Sequence, residues 1–104
     1  MVRCNVAGVT FDGRQKMLKS LRRGSMQSAK LVREPDNPYD PNAVRVVLSG
    51  EHIGYVPKSV AEHLAPAMDG GERVRIVNTE IGKFQGVWYA ALVIAGEADC
   101  DDSD

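Results

Sequence analysis

Three prolines within nine residues, in the run Glu34-Pro35-Asp36-Asn37-Pro38-Tyr39-Asp40-Pro41-Asn42, constrain this chain more than any other stretch. Each proline fixes φ and lacks an N–H, so neither a helix interior nor a central strand passes through the segment. The four Asp and Asn residues among them favour turns that their own side chains close. The core must therefore come from elements on either side of a stiff, shaped loop that carries one ring, Tyr39.

Upstream of the loop, Cys4 and Val6 alternate with Arg3 and Asn5, the period of a half-buried strand over residues 3–9. Asp12, with Gln15 three residues on, reads as a helix start. Met17, Leu18 and Leu21 share one face of that helix, with Arg14, Lys16, Lys19, Arg22 and Arg23 elsewhere and Gly24 at its end. A second strand is expected over residues 25–33. Past the loop, residues 43–48 and 51–56 form a predicted hairpin around Ser49-Gly50. Ser59-Val60-Ala61-Glu62 has the capping-box pattern and opens a second helix with Val60, Leu64 and Met68 at a spacing of four. Pro66 would clash with the Glu62 carbonyl, so a break or a 3₁₀ turn is expected before Gly70-Gly71. The last strands are predicted at 73–81 and 87–95, joined near Gly82-Lys83-Phe84-Gln85-Gly86. The order β-α-β-β-β-α-β-β describes a mainly β, α+β domain: a small curled sheet or partly open barrel with two helices attached.

The chain has 104 residues, 43% of them hydrophobic, which suffices for one domain with a single core. That domain is expected over residues 1–96. Residues 97–104 hold five acids in eight positions and are expected to be a disordered acidic tail. Without them the net charge of −1 becomes about +4, because all 13 basic groups and only nine acids remain. Arg14, Lys16, Lys19, Arg22, Arg23, Lys30 and Arg33 fall within twenty residues that hold no acid, so one surface should be basic and suited to an anionic partner. The longest apolar run, 87–95, is far short of the roughly 20 residues of a membrane span, and the start Met-Val-Arg-Cys-Asn has no signal-peptide core. A cytoplasmic protein with no membrane partner is expected. Cys4 and Cys100 are too few for a disulfide scaffold or a zinc cluster and read as free thiols. No metal or cofactor is expected.

Several motifs in order resemble the HIRAN domain: Val6-Ala7-Gly8-Val9-Thr10-Phe11, then Val32-Arg33 with the proline-rich run and Ala43-Val44, then Ile53-Gly54-Tyr55-Val56-Pro57-Lys58, Ala61 and Leu64-Ala65-Pro66. The likeness extends from about Cys4 to Ile94. HIRAN domains occur as N-terminal modules of eukaryotic fork-remodelling helicases and as free-standing bacterial and phage proteins, and this chain resembles the free-standing kind. The resemblance implies an OB-like small β-barrel with two helices and binding of single-stranded DNA, with capture of 3′ ends in the helicase-linked relatives. A helicase or nuclease acting in trans is a candidate partner that the sequence leaves open.

Carried over by position, Phe11 and Tyr39 would be two rings that stack on terminal bases, Asp40 the acceptor of a 3′-hydroxyl, and Lys58 a phosphate contact. Trp88 falls near a further aromatic contact. Asn37 in the loop and Arg14 in the basic run complete the nucleic-acid-binding candidates. The residue types suit the chemistry, since a ring stacks on any base and a carboxylate accepts from a free hydroxyl yet repels a continuing phosphate. Thr10-Phe11-Asp12 stands where the helicase-linked relatives carry an arginine and two tyrosines, so a cation and one ring are missing there. Each candidate also has a purely structural reading. Phe11 and Trp88 would fill the core, Tyr39 would anchor its loop through the hydroxyl, Asp40 would cap a turn, and Lys58 and the helix charges would form a solvated face.

Three classes of function are compatible with these residues: a single-stranded DNA-binding module, a protein-interaction adaptor of the same fold without DNA affinity, and a DNA-processing hydrolase. The third has least support. Neither His52 nor His63 has a matched cysteine or serine nucleophile nearby in sequence, no phosphate-binding glycine loop is present, and a metal-dependent nuclease would have only Asp12, Asp36 and Asp40 to draw on. The chain therefore reads as a binding protein rather than an enzyme.

Overall fold

A computed structural model describes residues 1–11, 13–23 and 28–96. The expected Asp12 cap, the Gly24 helix end, the start of the second strand at 25–27 and the acidic tail with Cys100 lie outside the described residues. The elements are β1 (Val2–Asn5), α1 (Arg14–Arg23), β2 (Ala29–Arg33), β3 (Val44–Leu48), β4 (Glu51–Tyr55), α2 (Lys58–Asp69), β5 (Arg75–Phe84) and β6 (Val87–Ala95), in the order expected.

The strands form two antiparallel sheets of three, ordered β1-β6-β5 and β2-β3-β4. They meet where Ala7 pairs with Tyr55, each accepting the other's N–H at 2.7 and 3.0 Å. The architecture is a small α+β fold of two linked sheets and two helices. Alternate apolar residues point inward: Val44, Val46 and Leu48 from β3, Ile53 from β4, and Ala90, Leu92 and Ile94 from β6 meet Leu18 of α1 and Ala61 of α2 in one core.

The two hairpins close as their turn residues dictate. Ser49-Gly50 joins β3 to β4 and Gln85-Gly86 joins β5 to β6, with φ positive at all four positions, the left-handed pair that matches strand twist. Because the second turn takes only two residues, β5 runs on to Phe84 rather than stopping at Ile81. At Gly54 the crossing of the sheets leaves no room for a side chain, since a Cβ there would lie 2.3 Å from the Ala7 carbonyl oxygen. A register shift beside it places Ile53 and Gly54 both inside.

The helices depart from expectation at their ends. Gln15 serves another contact: its Nε2 donates to the carbonyls of Val9 and Trp88, both at 2.9 Å, and its Oε1 accepts the Trp88 N–H at 2.8 Å, tying α1 to β6. Helix α2 begins after Pro57 rather than at Ser59, without a side-chain cap, because Pro57 already has the fixed φ that leads into a helix. It runs unbroken through Pro66, contrary to the expected interruption. Pro66 lies within the last four residues, where its carbonyl still accepts the Gly70 N–H at 2.9 Å, and buried Ala61 and Ala65 hold the helix to the core. Among the described residues no helix is long and apolar enough to cross a membrane.

Candidate nucleic-acid interface

The proline-rich loop is shaped by its own side chains. Asn37 Oδ1 accepts the N–H groups of Tyr39 (2.8 Å) and Asp40 (3.0 Å), and Asp40 Oδ1 accepts that of Asn42 (2.9 Å). These bonds satisfy donors that prolines on either side keep out of any ladder. The loop ends are pinched together at Ala43, whose carbonyl accepts from the Glu34 N–H and from Arg33 Nη1. Arg33 also grips Asp69 at the end of α2 through two parallel bonds of 2.8 and 3.0 Å.

Between this loop and the segment leaving β1 lies an open groove of about 700 Å³. Ala7, Gly8 and Phe11 form one side, Asp36, Asn37, Pro38 and Tyr39 the other, and Arg14, Glu34 and Tyr55 the base. The two rings at its rim are exposed, Tyr39 at 90% and Phe11 at 63%, so neither fills the core. The base is a connected polar set. Glu34 Oε1 accepts from Asn37 Nδ2 (2.8 Å) and the Tyr55 hydroxyl (2.7 Å), and Oε2 accepts from Arg45. The hydrogen bond from Asn37, then those from Tyr55 and Arg45, hold the Glu34 carboxyl down at about 2. The same bond to Glu34 raises the Tyr55 hydroxyl, which stays a neutral donor.

Arg14 is the residue whose setting departs furthest from the sequence reading. Expected on a solvated basic face, it is only 8% exposed. Its Nη1 donates to the Gly8 carbonyl at 2.8 Å and its guanidinium carbon stands 5.9 Å from the centre of the Tyr55 ring. It has no carboxylate partner among the described residues, so a cation sits under the groove with donors to offer. His52 packs with its ring perpendicular to that of Tyr55, centroids 5.0 Å apart. Burial, then the charges of Arg14 and Arg45, push its pKa down, which favours the neutral ring.

Of the sequence candidates, the groove brings together Phe11, Tyr39, Asn37 and Arg14. Asp40 is half-buried beside it, with Oδ1 taken by the Asn42 N–H. Lys58, the exposed first residue of α2, and Trp88, half-buried against the core with Lys83 Nζ 5.6 Å from its ring centre, are not part of the groove wall. Sequence reasoning missed Glu34, Tyr55 and Asp36 as groove residues. Tyr55 was hidden, because two residues from buried Ile53 it would share the core face in a regular strand, and only the register shift beside Gly54 sets it opposite Arg45 instead. The arrangement offers rings for stacking, a guanidinium without a carboxylate partner among the described residues and an exposed carboxylate, Asp36. Glu34 is too weak a base for proton transfer, and the buried Cys4 thiol is pushed up by desolvation, away from the thiolate form.

Residues 1–88 match the family model described as the HIRAN domain. Two solved structures share the fold: the HIRAN domain of human HLTF, with a TM-score of 0.58, 22% identity and coverage of 94% of this chain and 78% of that one, and a protein from Lactobacillus plantarum, with a TM-score of 0.61, 24% identity and coverage of 90% and 92%. In sequence, the chain is 50% identical over 40 residues to the helicase-like transcription factor of Oryctolagus cuniculus, 38% of this chain and 4% of that protein. It is 39% identical over 46 residues to the Fanconi-associated nuclease 1 homolog of Oryza sativa subsp. japonica, 40% of this chain and 5% of that protein. The matched stretch is thus about one-twentieth of either relative.

Proposed function

The chain belongs to the HIRAN family, and from that membership and the chemistry of its groove we propose that it is a DNA-binding module that takes the end of a single strand. The observation that carries this reading is the pair of exposed rings, Phe11 and Tyr39, flanking a groove with the Arg14 guanidinium at its base. Each ring stacks on a base without regard to sequence, contributing roughly 1–3 kcal/mol per base. Arg14 attracts a phosphate, and its near-burial lowers the dielectric around that contact. Asp36 in the wall and Asp40 beside it accept the terminal sugar hydroxyl and disfavour a further phosphate, which selects ends over internal nucleotides. The relatives named for a helicase-like factor and a nuclease support a setting in DNA processing, with a helicase or nuclease module as partner.

Fluorescence anisotropy of a short labelled single strand, ending in a 3′-hydroxyl or a 3′-phosphate, tests the reading. Binding that prefers the hydroxyl end and weakens about tenfold in Tyr39→Ala, as loss of one stacked base implies, supports it. Absence of binding to either strand overturns it and leaves the protein-adaptor function.

A further inference from the structure

The outer face of the β1-β6-β5 sheet carries two further rings, Phe84 exposed and Tyr89 half-buried. Phe84 stands opposite Val87, and Gly82 opposite Tyr89, so these residues share a face with Arg3 and Asn5 of β1. Cys4, Ile81, Ala90 and Leu92 point the other way, into the core. Phe84 is 67% exposed. Tyr89 is laid along the sheet across Gly82, where an added Cβ would come within 2.5 Å of its hydroxyl oxygen. That hydroxyl donates to Glu80 Oε2 at 3.1 Å, while Glu80 Oε1 accepts from Arg3 Nη2 at 3.2 Å, so two donors engage the carboxylate of this face. Arg3, Asn5, Phe84, Val87 and Tyr89 border a depression of about 450 Å³.

Strand β1 joins this face to the groove. Arg3, Asn5 and Ala7 are exposed and alternate with buried Cys4 and Val6, so all three point outward together. Asn5 borders the sheet-face depression and Ala7 the groove, about 7 Å apart at the rise of a strand. We infer that a single strand seated in the groove continues over Asn5 onto Tyr89 and Phe84, so that the sheet face is a second stacking platform for nucleotides further from the end. This inference rests on the DNA-binding function proposed above. The rings come from diagonal positions on neighbouring strands, roughly 7–8 Å apart, within reach of successive bases splayed along a sheet. The Asn5 amide and the exposed, loosely held Arg3 supply polar contacts beside them. Rings interleaved with Arg3, Asn5 and Glu80 suit a nucleotide chain better than the core of a protein interface, which is depleted of charge.

The test compares oligothymidylates of about four and about twelve nucleotides, both with free 3′-hydroxyls, on the intact protein and on Phe84→Ala, whose exposed side chain leaves the fold untouched. The expected result is about tenfold weaker binding of the longer strand by Phe84→Ala, with the shorter one bound as before and Tyr39→Ala weakening both. Arg3→Gln should weaken only the longer strand as well. Equal affinities of wild type and both variants for the longer strand would overturn the platform while leaving the groove intact. A change in sedimentation mass of the free Phe84→Ala protein, with DNA affinities unaltered, would do the same and mark the face as a contact between copies. If the wild type binds neither strand, the groove reading itself fails, and the platform with it.

Discussion

Glu34 shows how much of the groove depends on one side chain. Asn37, Tyr55 and Arg45 all donate to it, and together they join the loop, β4 and β3. Its carboxyl is held at about 2 in the fold against 4.5 ordinarily. Above about pH 4.5 the group is ionised in both folded and unfolded chains and its stabilisation is fully present. As pH falls toward 2 the unfolded chain takes the proton first and the stabilisation is lost. Urea unfolding followed across this range should show wild-type stability dropping on the acid side, and Glu34→Gln should be less stable at neutral pH but flatter below pH 4.5. Tyr39→Ala, at a 90% exposed position, should leave the urea midpoint within about 0.5 kcal/mol of wild type while weakening oligonucleotide binding. Tyr39 was legible in sequence because the prolines advertise the loop. Glu34 and Tyr55 were not, since the bond between them spans 21 residues and depends on β2 and β4 both pairing with β3, with an irregular register at Gly54. Nor was the burial of Arg14, because a charged residue on a basic helix gives no local sign that a carbonyl and a ring will receive it.

Among the elements, the first hairpin and β6 were readable from short-range signals, the Ser49-Gly50 dipeptide and an apolar run flanked by glycines, whereas the two-residue turn at Gln85-Gly86 was read as a longer link. What was illegible depended on contacts between elements. Gly54 looks like an ordinary strand glycine, yet a Cβ there would press on the Ala7 backbone where the two sheets join. Gly54→Ala should cost about 1–3 kcal/mol in chemical denaturation and loosen the groove, since Tyr55 is the next residue. Gly86→Ala, at a positive φ with open space around it, should cost only about 1–2 kcal/mol of backbone strain and leave binding alone. In α2, Pro66 breaks a local rule without breaking the helix, because burial of Ala61 and Ala65 outweighs the one missing hydrogen bond. Pro66→Ala restores a donor for the Glu62 carbonyl and should raise stability by about 1 kcal/mol or more.

For the whole molecule, two small sheets meet at Ala7 and Tyr55, and the groove opens at that meeting, so the fold and the site have the same origin. The chain's net charge of −1 is a poor guide to the proposed partner, because in the proposed function a local arrangement of rings and one nearly buried guanidinium, rather than overall charge, carries recognition. Binding should nonetheless weaken with salt, with a log–log slope of about −0.7 for each phosphate contacted, and the small number of cations at the groove implies a shallow slope. The central claim is that a single-stranded end sits between Phe11 and Tyr39 over Arg14. Its most direct test is an NMR titration of isotopically labelled protein with a short single strand bearing a 3′-hydroxyl. The largest backbone shift changes should fall at Gly8, Phe11, Arg14, Tyr39 and Tyr55. Signals from these residues that stay in place, while the strand binds elsewhere or not at all, would contradict the account.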